Sequence, residues 1–343
     1  MGLANGTMKA ALVTRYGPPE VVRVGEAPRP VPGPGELLVR VHSATVNRTD
    51  CGELRPHPQL GRLVFGLLRP RRRILGMDFA GAVHAVGAGT ASFKLGDRVF
   101  GMAPARANGA QADYLCLPET APVARIPDGV DFAGAVVCEG AFYANSSLKR
   151  YLDSPGRELL VYGASGAIGS AAAQLARHYG ASVTVAVEPR HLEMAGALGA
   201  DRTVATTDLG RLGARFDLVL DAVGKMGWRQ WRPLLKPDGR FATTDIGPWG
   251  QNLLFILWSK LRGTGRVSVP LPERGGAPAF VRLLADLLAA GRYRAIVDRT
   301  YKLDDIAEAY RYVESGQKAG IVVVDVAGSG RTRSAMSSEN GFN

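Results

Sequence analysis

Cysteine is scarce in this chain: three residues in 343, Cys51, Cys116 and Cys138, odd in number and far apart. That spacing excludes a disulfide framework and a C-x-x-C metal knuckle, and it fits a reducing cytoplasm. Long apolar runs are missing as well. The run Leu253–Trp258 is six residues, far below the roughly 18 that a membrane span needs, and it reads as a buried or interface segment. No signal-peptide pattern opens the chain, and no internal repeat is present. An apolar content of 46% with 21% charged residues is ordinary for a globular protein. A length of 343 residues predicts two domains rather than one core.

Acids are absent from one stretch. Arg55, Arg62, Arg69, Arg71, Arg72 and Arg73 follow one another with no carboxylate between them, and these six are over half of the +11 net charge. No nucleic-acid module or aromatic stacking platform accompanies them, so no nucleic-acid partner is expected. A solvated basic loop is the plain reading, and steering of an anionic substrate or acidic partner is the sharper one.

What is present in force is a strand–turn–helix signal. The apolar run Leu159–Tyr162 meets Gly163-Ala164-Ser165-Gly166-Ala167-Ile168-Gly169, and a helix of small residues follows. Read from Ala164 the turn is A-x-G-x-x-G, the first βα turn of a dinucleotide-binding unit. Gly166 lets the backbone approach a pyrophosphate, Gly169 lets helix and strand pack closely, and the helix N-terminus faces the phosphates. The next strand, Ser182–Val187, ends on Glu188, 19 residues past Gly169, the spacing of a ribose-binding acid. Further βα signals at Phe216–Gly224 and Gly239–Thr244 predict a doubly wound parallel sheet. Cofactor contacts are therefore expected from Ala164, Ser165, Gly166, Ala167, Ile168, Gly169, Glu188, Arg190, Val223, Thr244, Asp245 and Ile246.

The chain before this unit has a different texture. Short strands at Lys9–Thr14, Val21–Val24, Glu36–Val46, Ala80–Val86, Arg98–Phe100 and Ala112–Leu117 alternate with turn residues and predict a small β-barrel. Four prolines stiffen the loop Pro28–Gly35. Pro127 ends the block, and one helix is expected over Asp131–Tyr151. After Pro270-Leu271-Pro272 come a helix over Ala277–Ala290, a strand at Arg299–Tyr301, a helix over Asp304–Ser315 and a strand at Ile321–Val326. These late strands are expected to return to the β block.

Particular motifs now coincide with that order: Met8-Lys9-Ala10-Ala11, Tyr16-Gly17-Pro18-Pro19-Glu20, Val46-Asn47-Arg48-Thr49-Asp50, Gly76–Gly81, Lys94–Val99 and Gly163–Gly166. From Met8 to Val326 the chain resembles the medium-chain dehydrogenase/reductase superfamily, most closely its zinc-free, quinone-oxidoreductase-like branch. The resemblance implies an α/β protein with a GroES-like β-barrel catalytic domain (8–128), a Rossmann dinucleotide-binding domain (129–271), a return to the catalytic domain (272–326) and a disordered tail (327–343). It also implies a cleft between the domains and a homodimer. The zinc-dependent members hold their metal with Cys, His and Cys beside a Glu. Here Asn47 stands at the first position, Met77-Asp78 at the His-Glu pair and Cys138 near the second Cys, so no metal is expected.

Without a Lewis acid an isolated ketone is hard to polarise, whereas an enone or quinone spreads the incoming charge onto an oxygen that hydrogen bonds can hold. The expected reaction is hydride transfer from NADPH or NADH to an α,β-unsaturated carbonyl or quinone. The alternatives are a tailoring enzyme for an elaborate or carrier-bound substrate and a dinucleotide-binding protein without turnover. By resemblance Asn47 lies near the nicotinamide, as a donor to substrate oxygen or an orienter of the ring, and Thr49 near the alcohol dehydrogenases' relay hydroxyl. Glu139 is unusual where small or apolar residues are the rule, and a desolvated carboxyl there is an acid–base candidate. Tyr143, one turn on, is a second donor. Cofactor choice stays open: Glu188 favours a free ribose diol, while Arg190 favours a 2′-phosphate.

Overall fold

Two sheets divide most of the strands. They are seen in a computed structural model that describes residues 6–56, 62–104, 109–152, 155–224, 226–244, 251–262, 264–269 and 275–328. The candidate residues Asp245 and Ile246, the 271/272 boundary and nearly all of the expected tail lie outside these residues.

One sheet has six parallel strands in the spatial order Arg202–Ala205, Ser182–Val187, Glu158–Tyr162, Phe216–Asp221, Leu235–Thr243, Val267–Ser268. Numbered along the chain this is 3-2-1-4-5-6, the doubly wound arrangement of dinucleotide-binding folds. Leu159, Leu160 and Val161 are each fully buried, as expected where helices cover both faces and leave no polar side to a strand. The order reverses between Glu158–Tyr162 and Phe216–Asp221, which are hydrogen-bonded neighbours. A crevice must open above their carboxyl ends.

The other sheet has seven strands, antiparallel but for one pair. Val297–Lys302, Ile321–Asp325, Glu36–Val46, Asp78–Val86, Arg98–Met102 and Val123–Arg125 follow in order, with Tyr114–Pro118 also on Glu36–Val46. The late strand Ile321–Asp325 pairs antiparallel with the end of Glu36–Val46, Val322 opposite Val46. That register sets the segment before Ile321 beside Asn47. Thr7–Leu12 pairs with Arg23–Pro28 in a separate two-stranded sheet, so pairing begins two residues before the expected start at Lys9.

Two expected elements change. Residues Pro19–Val21 form a 3-10 turn and the strand starts only at Arg23; proline at the first helical position is preset for such a turn. The helix expected over Asp131–Tyr151 is two helices, Phe132–Ala135 and Cys138–Leu148. The chain leaves helical geometry at Val136, where ψ is 66°. A new helix therefore starts at Cys138, with fresh unpaired N–H groups. The N–H of Glu139 donates to Asp78 Oδ1 at 2.7 Å, so the break is stabilised by a buried carboxylate.

Candidate active site

The crevice is a cavity of about 380 Å³ whose wall includes Asn47, Thr49, Glu139, Tyr143, Ser165, Gly166, Ala167, Ile168, Glu188, Val223 and Lys318. Its two walls are built by different means.

The first is mostly backbone. Gly163 leaves the strand Glu158–Tyr162 at φ +80°, and a Cβ there would lie 2.2 Å from Val223 Cγ2. It makes the tight turn one residue before Ala164, the first position of A-x-G-x-x-G, which is fully buried. Gly169 packs closely: a Cβ would sit 2.2 Å from the Gly163 carbonyl oxygen. At Gly166 the nearest such neighbour is 3.6 Å away, so its face toward the cavity is open. The helix Ala167–His178 starts here with Gly166 as its cap, and its first N–H groups point into the crevice. These residues fit the pyrophosphate of a dinucleotide. Asp221, at the end of the fourth strand, is fully buried; it accepts the N–H groups of Val223 and Gly224 at 2.9 and 2.8 Å and fixes that turn.

Glu188 follows the second strand and lines the cavity. Its carboxylate pairs with Arg190 at 2.8 Å, both side chains about half exposed (53% and 54%). The two opposed charges of the cofactor question are thus each other's partners. Arg190 and Thr244 do not line the cavity; the Thr244 N–H donates to the Asp221 carbonyl.

The second wall is side chains drawn from four separate segments. Asn47 caps the helix Arg48–Leu54, and its own N–H donates to Asp50 Oδ2 at 2.8 Å. Its amide Nδ2 donates to Thr45 Oγ1 at 2.9 Å and to Glu139 Oε2 at 2.6 Å. Both amide hydrogens are then committed inside the protein. In this structure Asn47 therefore holds Glu139 and Thr45 rather than presenting a free amide N–H to the cavity. Thr49 lies within polar reach of Glu139 and Tyr143 and lowers the pKa of both, so Asn47, Glu139, Thr49 and Tyr143 form one polar network on the cavity wall.

Three carboxyls meet here, and Asp50, Asp78 and Glu139 are 0%, 1% and 3% exposed. Burial pushes all three above the ordinary carboxylate range, most strongly Asp50 and Asp78, and the charge on Glu139 lifts those two further. Hydrogen bonds from Thr49 and Asn47 pull Glu139 partly back. The cluster keeps protons at pH values where isolated carboxyls have lost them. Asp50 also accepts the Gly76 N–H at 3.0 Å, so it ties two loops together away from the cavity. Burial, and then Glu139, also raise Tyr143, which keeps its hydroxyl protonated.

Lys318 is a residue the sequence did not point to. It precedes the strand Ile321–Asp325, beside Asn47, and its ammonium donates to the Gly320 carbonyl at 2.8 Å. Gly320 in turn bridges to Gly166 of the glycine turn. Burial lowers Lys318 to about 8, against the pull of Asp298, Glu139 and Cys51, with Arg48 adding to the fall. Part of the residue stays accessible, yet its charge faces a desolvated pocket. Only the 46–322 strand register reveals this position.

At the zinc positions suggested by resemblance, the donor set does not fit. Asn47 presents N–H groups, Met77 a thioether, and burial holds the Cys138 thiol well above its usual range. Tetrahedral zinc needs thiolate, imidazole or carboxylate lone pairs. Among the described residues no group of three His, Cys, Asp or Glu is placed to hold a metal.

Comparison with known proteins fits this architecture. Residues 33–128 match the alcohol dehydrogenase GroES-like domain, and residues 198–324 match the zinc-binding dehydrogenase family. A chloroplastic quinone-oxidoreductase homologue of Spinacia oleracea is 28% identical over 314 residues, 86% of this chain and 91% of that one. The trans-enoyl reductase pgmF of Aspergillus terreus is 28% identical over 317 residues, 86% of this chain and 87% of that one. The quinone oxidoreductase structure from Coxiella burnetii superposes with a TM-score of 0.78 at 23% identity, covering 94% of this chain and 100% of that one.

The chain belongs to the medium-chain dehydrogenase/reductase superfamily, and its chemistry is that of an NAD(P)H-dependent oxidoreductase. Within the superfamily it falls in the quinone-oxidoreductase-like branch.

Proposed function

We propose that the protein reduces α,β-unsaturated carbonyls or quinones with NAD(P)H and without zinc. The observation that carries this is the proton-bearing network Asn47–Glu139–Thr49–Tyr143, with Lys318, facing the glycine turn across one cavity. When bound, the reduced nicotinamide supplies a hydride for the β-carbon. Ser165, Gly166, Ala167 and Ile168 would hold its pyrophosphate, and Glu188 and Val223 its adenosine half. The rest falls to this chain's side chains. The charge that arrives with hydride moves to the carbonyl oxygen, where Tyr143 and Lys318 are donors that face the cavity. A proton then closes the reaction at the α-carbon or at the quinone oxygen. Lys318 is charged below about pH 8 and is the donor of first choice. Glu139, held by Asn47 and Thr49, replenishes it by way of the cavity.

A second reading is enoyl reduction on a carrier-bound chain. It is favoured by relatives such as the pikromycin polyketide synthase component PikAII of Streptomyces venezuelae, 29% identical over 313 residues, 87% of this chain and 8% of that one. The test is oxidation of NADPH and NADH against quinones, free enones and enoyl thioesters, with zinc measured in the same sample. Turnover of quinones or enones at zinc well below one per chain is expected. Turnover of saturated ketones only, or activity that tracks zinc content, would overturn the proposal.

A further inference from the structure

Between Leu54 and Ile74 the chain leaves the catalytic sheet and comes back, with both ends fixed in the site. The helix Arg48–Leu54 begins at Asn47, and the returning Gly76 N–H is held by Asp50. Within this excursion Leu63, Leu67 and Leu68 are 66%, 67% and 89% exposed, and Leu68 is the most exposed large hydrophobic among the described residues. Single exposed leucines are common, but three within six residues form a patch that calls for a partner. Arg69, Arg71 and Arg73 are exposed beside them, and no acid lies anywhere from Arg55 to Arg73.

The base of this loop is anchored, so the leucines are held outward rather than frayed. Tyr16 donates its hydroxyl to the Gly66 carbonyl at 2.6 Å, and the Arg62 guanidinium lies 5.0 Å from the Tyr16 ring centre. The Arg71 N–H donates to the Phe65 carbonyl at 2.8 Å. Arg72 is bound to Glu53, both side chains only 10% exposed, so it braces the loop and is not part of a solvated basic face. Charge alone would suit an acidic protein, but charge with protruding leucines suits a lipid interface, which takes both at different depths.

We propose that the segment 62–73 docks the protein on an anionic membrane surface, Leu63, Leu67 and Leu68 entering the acyl boundary while Arg69, Arg71 and Arg73 meet lipid phosphates. Docking rests on this loop alone and requires no turnover. It would bring the crevice close to lipophilic acceptors.

The test is sedimentation of the whole protein with vesicles of phosphatidylcholine alone and of phosphatidylcholine with one quarter phosphatidylglycerol. Binding is expected on the anionic vesicles only. Leu67→Ser/Leu68→Ser should weaken it by about tenfold or more, and Arg69→Ser/Arg73→Ser by roughly fivefold per arginine. Arg23→Ser/Arg150→Ser removes the same charge from exposed sites elsewhere and should cost little. Equal losses from both arginine pairs, or no loss from the leucine pair, would reduce the effect to bulk charge and overturn the proposal. Failure to sediment, with capture instead by an acidic protein or a leucine-dependent change in oligomeric state, would overturn it too.

Discussion

The two walls of the crevice differ in what they are made of. The nucleotide wall is backbone and small residues from one stretch of chain, Gly163–Gly169, with Val223 behind it. The opposite wall is polar side chains brought together from residues 45–50, 76–78, 138–143 and 318–320. A backbone wall recognises what all dinucleotides share, because N–H groups and a helix terminus read phosphate without reading identity. A side-chain wall sets the proton inventory, and that is where one member of a fold departs from another. The difference predicts that changes in the first wall affect folding and cofactor binding, while changes in the second affect turnover at constant cofactor affinity.

The largest effect should follow Gly169→Val. Its Cβ would meet the Gly163 carbonyl oxygen at 2.2 Å and Ala164 Cα at 2.8 Å, both backbone, so neither can rotate away. A loss of about 3 kcal/mol or more in stability is expected, with cofactor binding lost alongside. Thermal unfolding and fluorescence titration with NADPH measure the two. A variant that keeps wild-type stability would show that the turn can open, and the rigidity of this wall would be disproved.

Glu139→Gln attacks the other wall. The amide keeps the shape and an acceptor for Asn47, but it no longer exchanges a proton. Turnover should fall about 100-fold, the lower range for losing an acid–base group, with cofactor Kd within about twofold. Loss of its charge also removes one of the pulls that raise Lys318, so the alkaline limb of kcat should move to lower pH.

How much of this was legible in sequence follows the same division. The glycine turn was readable because its contacts are local: the chain from Leu159 to Gly169 carries strand, turn and helix within a dozen residues. Even there the positive φ at Gly163 lies just outside the A-x-G-x-x-G pattern that marked the turn. The unusual carboxyl Glu139 stood out because the family resemblance implies a small or apolar residue there. Its bond to Asn47 spans 92 positions and could be placed only once the second helix was seen to start at Cys138. Lys318 was not legible at all. Nothing in Ser315-Gly316-Gln317-Lys318 marks a site, and its address comes from the pairing of Val322 with Val46. Arg72 was misread as one more solvated charge, because its partner Glu53 lies outside the basic run.

Lys318→Met should separate chemistry from stability. In the folded chain Lys318 titrates near 8, against an ordinary 10.5. Below pH 8 both states carry the proton, so the full cost of the buried charge is present. Between pH 8 and 10.5 the unfolded chain binds more protons, and stability rises with pH. The methionine variant lacks that rise and should be more stable at pH 7 by up to about 3 kcal/mol. If Lys318 donates the proton, wild-type kcat falls as pH climbs through about 8. The variant should be slower by roughly tenfold and lack that limb. A variant that is stabilised yet keeps the wild-type pH profile would leave Lys318 a structural group.

The smallest effect concerns Glu188, a charged side chain that lines the cavity on the nucleotide side. A carboxylate at the end of the second strand favours a ribose diol through charge-assisted hydrogen bonds and repels a 2′-phosphate. Its 2.8 Å pair with Arg190 is half exposed on both sides, so water and salt screen it and the pairing energy is small. A bound cofactor can therefore compete for either partner. Glu188→Ser removes the repulsion and releases Arg190, and both changes favour the phosphate. NADPH should tighten relative to NADH by roughly tenfold, about 1.4 kcal/mol for one close like-charge contact. Arg190→Ala should shift the ratio the opposite way, because Glu188 is then left without its counter-charge. Kd values for both cofactors in the three proteins decide the matter. A ratio unmoved by either substitution would mean that the pair turns to solvent when the cofactor binds and that neither charge reads the ribose.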